Sequence, residues 1–407
     1  MTEGKPILGM ENMRSMKTVQ LLALLGLVVI PALYFMGAIS IETVNMLGRY
    51  MTYAIVAVGL DLLWGYVGIL SLCQATFFCL GSYAMGMYLA HHGGPEGIVD
   101  ANGWKLPACL YVVYPYDVGE APGDALVPWF WKPFWNLPLT ILLGLVIPAA
   151  AAFALGYFVF RSRVKGVYFA ILSQAIAVAG WLVFCRNDVK LCGTNGLTRF
   201  DKIAGSESIF TFAPTKGGPP APDAGFSLAE PNVQLVLYLL TVLALFASYF
   251  LCRWIVWSRL GRVLVAIRDD ETTLRFFGYR PYVYKLFAFS VAAALAGLGG
   301  MLYSPQMKIT TPADMEAVKS VLIVVWVAVG GRGTLSGAIL GALTVNLLYN
   351  YFTSEHDLIL FTWKADYWQF VLGGLFVGVV LFLPQGLMSL PEKINKMPVL
   401  RKLLGKT

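Results

Sequence analysis

The sequence predicts an all-α fold, a polytopic helical bundle in a membrane with about ten spans and both termini on the cytoplasmic side. Three observations predict it. Hydrophobic residues make up 58% of the 407 positions, charged residues only 13%, and the mean hydropathy is +0.68, which excludes a soluble globule. Long uncharged runs recur at the length needed to cross roughly 30 Å of hydrocarbon. Lysine and arginine collect in alternate loops, as the positive-inside rule requires.

Eight runs are long enough without support: Thr18 to Ile41, Leu62 to Ala90, Leu137 to Phe160, Gly166 to Cys185, Val233 to Leu251, Leu286 to Met307, Gly333 to Ser354 and Tyr367 to Pro391. Two are weaker. Asn45 to Leu60 carries Arg49 and ends at Asp61, and Ser320 to Gly331 is too short to cross unless it tilts or re-enters. Threading ten spans from an inner N-terminus puts Lys5, Arg14, Lys17, the Arg161–Lys165 turn, the 252–285 loop, Arg332 and the basic tail on one face. The chain then divides into a cytoplasmic tail 1–17, a membrane domain 18–391 and a basic cytoplasmic tail 392–407. The basic balance of +7 reads as topology and contact with anionic lipid, not as a nucleic-acid footprint. The first run is too long for a signal peptide and lacks a small-x-small cleavage site.

Two outer loops, 91–136 and 186–232, read as irregular surface segments without cores of their own, and Trp129, Trp131 and Trp135 as an interfacial aromatic belt. Cys185 and Cys192 lie close in sequence near the outer mouth, but two unpaired thiols are the favoured reading.

The loop from Cys252 to Lys285 concentrates charge between two apolar runs. Its core, Leu260 to Gly278, places Leu260, Val263, Leu264, Ile267, Leu274 and Phe277 on one helical face, so an amphipathic helix lies along the bilayer and offers a docking surface. Gly278 and Pro281 supply the stop. Glu271 falls inside the apolar stripe, where it needs a counter-charge from a partner.

No catalytic or cofactor chemistry is readable. His91, His92 and His356 fall in outer loops, and no zinc or nucleophile motif is present. Gly405-Lys406-Thr407 imitates the end of a phosphate loop, but Leu400 stands where glycine is needed, so this chain does not hydrolyse ATP. Charges within spans mark function by default, and they reduce here to Arg49 and Asp61. Ser71, Gln74 and Thr76, in a small-residue setting, and Asn346, four residues before Asn350, are candidate linings for a polar solute; each reads equally as helix packing. A faint internal echo links Gly65-Tyr66-Val67-Gly68 with Gly331-Arg332-Gly333, as in transporters built from duplicated halves.

The stretches Gly59–Leu72, Asn195-Gly196-Leu197-Thr198, Ala266–Glu271 and Val325–Leu335 resemble the permeases of the branched-chain amino acid ABC importers. The Trp-Gly-Tyr turn, Met85-Gly86-Met87-Tyr88, Arg186-Asn187-Asp188 and Trp326 tilt the resemblance to the urea-transporter branch. The resemblance implies an importer subunit of the bacterial inner membrane, with a second homologous permease, two cytoplasmic ATPase subunits and a periplasmic solute-binding protein. It makes Leu260 to Gly278 the coupling helix, with Arg268, Asp269, Asp270, Glu271, Arg275 and Gly278 gripping the ATPase, and Asp61, Ser71, Gln74, Thr76, Asn195 and Asn346 along the path. Ser71-Leu72-Cys73-Gln74-Ala75-Thr76-Phe77 departs from the family's glycine-histidine form, and Glu271-Thr272-Thr273 from its Glu-Ala-Ala. Urea or a similar small neutral amide is the expected cargo, a branched-chain amino acid the alternative; a passive channel, a secondary transporter and a membrane enzyme are the readings from other classes.

Overall fold

The computed structural model describes residues 10–93, 127–162, 166–198, 200–203, 225–353 and 386–389, with a few isolated positions besides. Twelve α-helices are formed by these residues: α1 Met10–Leu24, α2 Ile30–Phe35, α3 Ile41–Asp61, α4 Gln74–Gly93, α5 Leu137–Arg161, α6 Val167–Cys185, α7 Pro231–Trp257, α8 Arg259–Asp269, α9 Glu271–Phe276, α10 Pro281–Met307, α11 Ala317–Gly330 and α12 Leu335–Thr353. Three pairs of two-residue strands are the only sheet among them, and the fold is all-α.

Among the described residues seven stretches are long and apolar enough to cross a membrane: Thr18–Phe35, Ile41–Val67, Leu137–Arg161, Val167–Cys185, Pro231–Trp257, Pro281–Met307 and Leu335–Thr353. Of the expected ten, about seven are found on this count. Most of the predicted span Tyr367 to Pro391 lies outside the described residues, as do most of the two outer loops and the basic tail. The break expected at Asp61 is absent, because α3 runs on through a π-helical turn, Leu62–Val67, with Asp61 buried inside it. The chain breaks instead at 68–73, so the predicted run Leu62 to Ala90 is divided, and only α4 belongs to the next helix. α4 is not among the seven. Its glycines, serine and tyrosines are enclosed by protein, so it need not be apolar in the way a lipid-facing span must be. α11 begins three residues before the predicted start, yet its 14 residues reach only about 21 Å.

α10 is the central post, packed on α4, α5 and α3. Small residues let it approach closely. A Cβ placed on Gly300 would lie 1.8 Å from the carbonyl oxygen of Phe78 on α4, so the backbones meet without side chains between them. Beside that contact Ser82, Ser304 and Thr310 close a buried hydroxyl triangle with edges of 2.8 to 3.1 Å. Polar groups here glue helices rather than face solute.

The far end of the bundle is better built than two irregular loops would be. Asn195-Gly196-Leu197-Thr198 is clipped to the end of α10 by an antiparallel pair, Leu197 opposite Thr310 and Thr198 opposite Ile309. Trp131, Phe200, Leu191 and Leu228 from the described parts of the outer loops join a second core cluster with α4. Of the expected aromatic belt only Trp129 is exposed; Trp131 is buried and donates to the Lys190 carbonyl at 3.1 Å. No disulfide joins Cys185 to Cys192.

Replacing Gly300 by Val forces α4 and α10 apart. The expected cost is about 1–3 kcal/mol or more, read as a lower melting temperature and lower monodisperse yield in detergent than for Ala substitutions at lipid-facing positions such as Val236.

Candidate functional site

At the basic end of the bundle three segments meet at the π-turn that closes α3. The last carbonyls of a helix have no intrahelical donors, and inside a membrane protein those groups must find partners elsewhere. The carbonyl of Trp64 accepts from Arg332 Nε at 3.0 Å, and that of Gly65 from Arg268 Nη1 at 2.8 Å. The Arg332 guanidinium also lies over the Trp64 ring, 5.0 Å from its centre, a cation–π contact. In return the backbone N–H of Gly333 donates to Asp61 Oδ1 at 2.7 Å. Three elements distant in sequence, α3, the elbow formed by α8 and α9, and the α11–α12 turn, are thereby pinned at one point.

Two glycines make the clasp possible. A Cβ on Gly65 would lie 2.7 Å from the Gly333 backbone, so the two turns read as an internal echo lie directly against each other. Gly68 has φ +80°, and a Cβ there would strike Arg268 Cγ at 2.8 Å.

The elbow is two helices rather than the single one expected from Leu260 to Gly278. Asp270 breaks it: its backbone is extended, at φ −153° and ψ 101°, and its side chain accepts from the N–H groups of Thr272 and Thr273, capping α9. The Thr272 and Thr273 hydroxyls, then those N–H groups, hold the Asp270 carboxyl well below the usual carboxylate range. Gly278 ends α9 with φ +82°. Leu264, Ile267 and Leu274 of the predicted apolar face are buried, whereas Phe277 and its neighbour Phe276 are exposed.

Glu271 finds its counter-charges within the chain, not in a partner. Arg275 approaches at 2.5 Å and Lys285, at the start of α10, at 2.7 Å. Arg268 reaches inward to the Gly65 carbonyl through Nη1 and pairs through Nε with the exposed Asp269 at 3.2 Å. The remaining predicted site residues do not form one constellation. Asp61 belongs to the clasp. Ser71 pairs with the Cys73 thiol at 3.3 Å, and Asn346 donates to the Ala342 carbonyl of its own helix at 2.7 Å. Gln74 and Thr76 are buried with side-chain atoms that have no partner among the described residues. Asn195 is exposed in a turn at the opposite end.

Sequence reasoning missed Lys285, the clasping role of Arg332, and the half-buried pair of Asp314 with Lys319 at the start of α11. Lys285 lies on a different helix from Glu271, so no periodicity links them. Arg332 had a legible signal, a cation set between two glycines at a helix junction, and Lys319 interrupts an otherwise apolar run.

The family model described as branched-chain amino acid transport system, permease component, matches residues 42–380. The chain belongs to this family. It is similar to the high-affinity branched-chain amino acid transport system permease protein LivM of Escherichia coli, 27% identical over 374 residues that cover 91% of this chain and 74% of the relative. To LivH of Salmonella typhimurium it is 23% identical over 347 residues, 84% of this chain and 92% of that one. To BraD of Pseudomonas aeruginosa it is 21% identical over 355 residues, 86% and 96%. No solved structure matches. This family member is a multi-pass, non-catalytic ABC-transporter permease of the inner membrane, involved in amino-acid transport. The expected tilt to a urea permease is overturned by the family model and these relatives, which are branched-chain amino acid transport permeases. The features that suggested urea, the Trp-Gly-Tyr turn and Trp326, are occupied structurally, in the clasp and in ring packing against Tyr53.

Replacing Asp61 by Leu removes the acceptor for the Gly333 N–H, a loss of about 1–3 kcal/mol. Amide exchange across residues 331–336 is expected to speed up by about tenfold in Asp61→Leu and to change little in Asp61→Asn, which keeps an acceptor oxygen.

Proposed function

We propose that the chain is one of two homologous permeases in an ATP-driven importer of branched-chain amino acids, taking its cargo from a periplasmic binding protein and its energy from two cytoplasmic ATPase subunits. The basic end is then the cytoplasmic end. Both termini lie there, and ten spans in all are reached by counting α4, α11 and the 367–391 run with the seven, which keeps the division into tail 1–17, membrane domain 18–391 and tail 392–407. The exterior of the membrane domain meets lipid.

One observation carries the reading: the elbow is tied by Arg268 to the Gly65 carbonyl at 2.8 Å, and so to the ends of α3, α11 and α12. An ATPase seated on the elbow would move those ends together, since a hydrogen-bonded junction between rigid helices passes displacement on rather than absorbing it. The outward residues suit such a seat. Asp269, Phe276 and Phe277 are exposed beside the capped turn at Asp270, while Glu271, Arg275 and Gly278 set the elbow's shape from within. Along the path, Gln74 and Thr76 supply unpaired polar atoms that become a lining when the bundle opens, with Asn195 at the outer mouth and Ser71 and Asn346 flanking the route.

Co-expression with the partner subunits, reconstitution in liposomes and addition of leucine-loaded binding protein should give uptake that requires ATP. Phe276→Glu and Phe277→Glu, at exposed side chains that take part in no internal ion pair, should lower uptake at least about tenfold and weaken co-purification of the ATPases while leaving membrane insertion intact. Leucine uptake by this chain alone, or unaltered ATPase capture by both variants, would contradict the proposal.

A further inference from the structure

The stretch from α3 to α4 is an interrupted helix whose second half begins inside the bundle rather than at its edge. α3 with its π-turn ends at Val67 and α4 starts at Gln74, with residues 68–73 non-helical between them. Three contacts place that break. A Cβ on Gly68 would touch Arg268 of the elbow, so the break sets out from the clasp. The Leu72 N–H then donates to Ser173 Oγ on α6 at 2.9 Å, and a Cβ on Gly180 of α6 would meet Thr76 Cγ2 at 3.4 Å. Counted from Val167 at the basic end, Ser173 and Gly180 stand about 9 and 20 Å along α6 at 1.5 Å per residue. α6 has 19 residues, about 28 Å by the same rise. The first turn of α4 therefore lies between those two levels, within the thickness of the bundle.

That turn is polar and unsatisfied. The first N–H groups of a helix have no intrahelical acceptor and carry its positive dipole end, and no charged side chain occurs between Leu62 and Ala90 to answer them. Gln74, which opens the helix, is 1% exposed, and both its Oε1 and its Nε2 have no partner among the described residues. Thr76 is 9% exposed, and its Oγ1 is equally unmatched there. Ser71 is buried against the Cys73 thiol at 3.3 Å, a weak partner. Cys73, Leu172, Ser173, Ile176 and Phe289 border a narrow apolar cleft beside the same turn. A buried amide without partners is costly, and an apolar side chain of similar size would pack here without that cost.

We infer that the first turn of α4 is a holding site for the α-carboxylate of an amino acid in transit, with Gln74 as its main side-chain donor and Thr76 and Ser71 beside it; the assignment rests on the amino-acid cargo proposed above. The carboxylate accepts from Gln74 Nε2, from the two hydroxyls and from the free N–H groups of the turn, the way helix N-termini inside transporters receive anionic solute groups. Gln74 Oε1 accepts from the α-ammonium. The adjoining cleft, widened when α6 moves, gives hydrocarbon to the aliphatic side chain. No full cation takes part, so the anion is held weakly enough to leave, as a site on a path requires. A small neutral amide would engage Gln74 but gain little from the dipole.

The test uses the complete transporter in liposomes, with leucine-loaded binding protein as donor. Gln74→Met, close in volume but without a donor, should lower the kcat of leucine import by at least about tenfold while the KM for loaded binding protein stays within about twofold. The assembled complex carrying it should melt no lower than the unmutated one, because the exchange removes two unsatisfied polar atoms from an apolar setting. Gln74→His, which keeps a donor, should recover part of the import, and Thr76→Val should lower it by about threefold. Import at the original rate in Gln74→Met overturns the site and leaves Gln74 a packing residue. A loss of import that only follows a lower melting temperature or a loss of assembled complex overturns it as well. Failure of the unmutated transporter to import leucine is a different outcome, which overturns the cargo assignment on which the site rests.

Discussion

Backbone carbonyls cannot be left without donors inside a membrane protein, and the rest of this structure is arranged around that constraint at one place. The Trp64 and Gly65 carbonyls belong to the last turn before the helix stops at Val67, where no helical donor follows, and two arginines from distant segments serve them. The position of this helix end therefore fixes the elbow and the α11–α12 turn, because each unsatisfied carbonyl in an apolar setting costs several kcal/mol. Asp61 completes the junction by accepting from Gly333 through Oδ1, while its Oδ2 is buried with no partner among the described residues.

The same logic separates two kinds of polar residue in the bundle. Ser82, Ser304 and Thr310 satisfy one another and hold α4 to α10. Gln74, Thr76 and Arg49 keep atoms that no described group satisfies. A closed triangle is glue. An open set leaves room for a further partner, which the proposed function takes to be solute on its path.

Much of the architecture was legible in the chain, for physical reasons. Apolar runs at Leu137, Gly166 and Val233 became helices α5, α6 and α7, because lipid-facing helices must be apolar along their whole length; the run at Leu286 became α10, whose small apolar residues pack it inside the bundle. The reading failed where protein, not lipid, is the solvent. α4 is enclosed and tolerates polar residues; Asp61 accepts from Gly333 and does not end its helix; the described outer-loop residues include tryptophans expected at the interface but buried. The elbow was visible as an amphipathic stretch, but its division at Asp270 was not, since a capping aspartate and a surface aspartate look alike until the backbone turns. Glu271 was recognised as needing a counter-charge, yet Lys285 lies on another helix, and only tertiary packing brings them together. Cargo was read wrongly for a related cause: the residues that suggested urea hold the bundle together.

The account stands or falls on whether Arg268 transmits movement from the elbow to the end of α3. The direct measurement is the number of leucine molecules imported per ATP hydrolysed by the assembled transporter carrying Arg268→Gln, a side chain too short to keep the Gly65 carbonyl at its present distance. Loss of the pin should leave ATP turnover running while import per ATP falls by about tenfold or more. An unchanged ratio would mean that the elbow drives the bundle by some other contact, and that the clasp only holds it together.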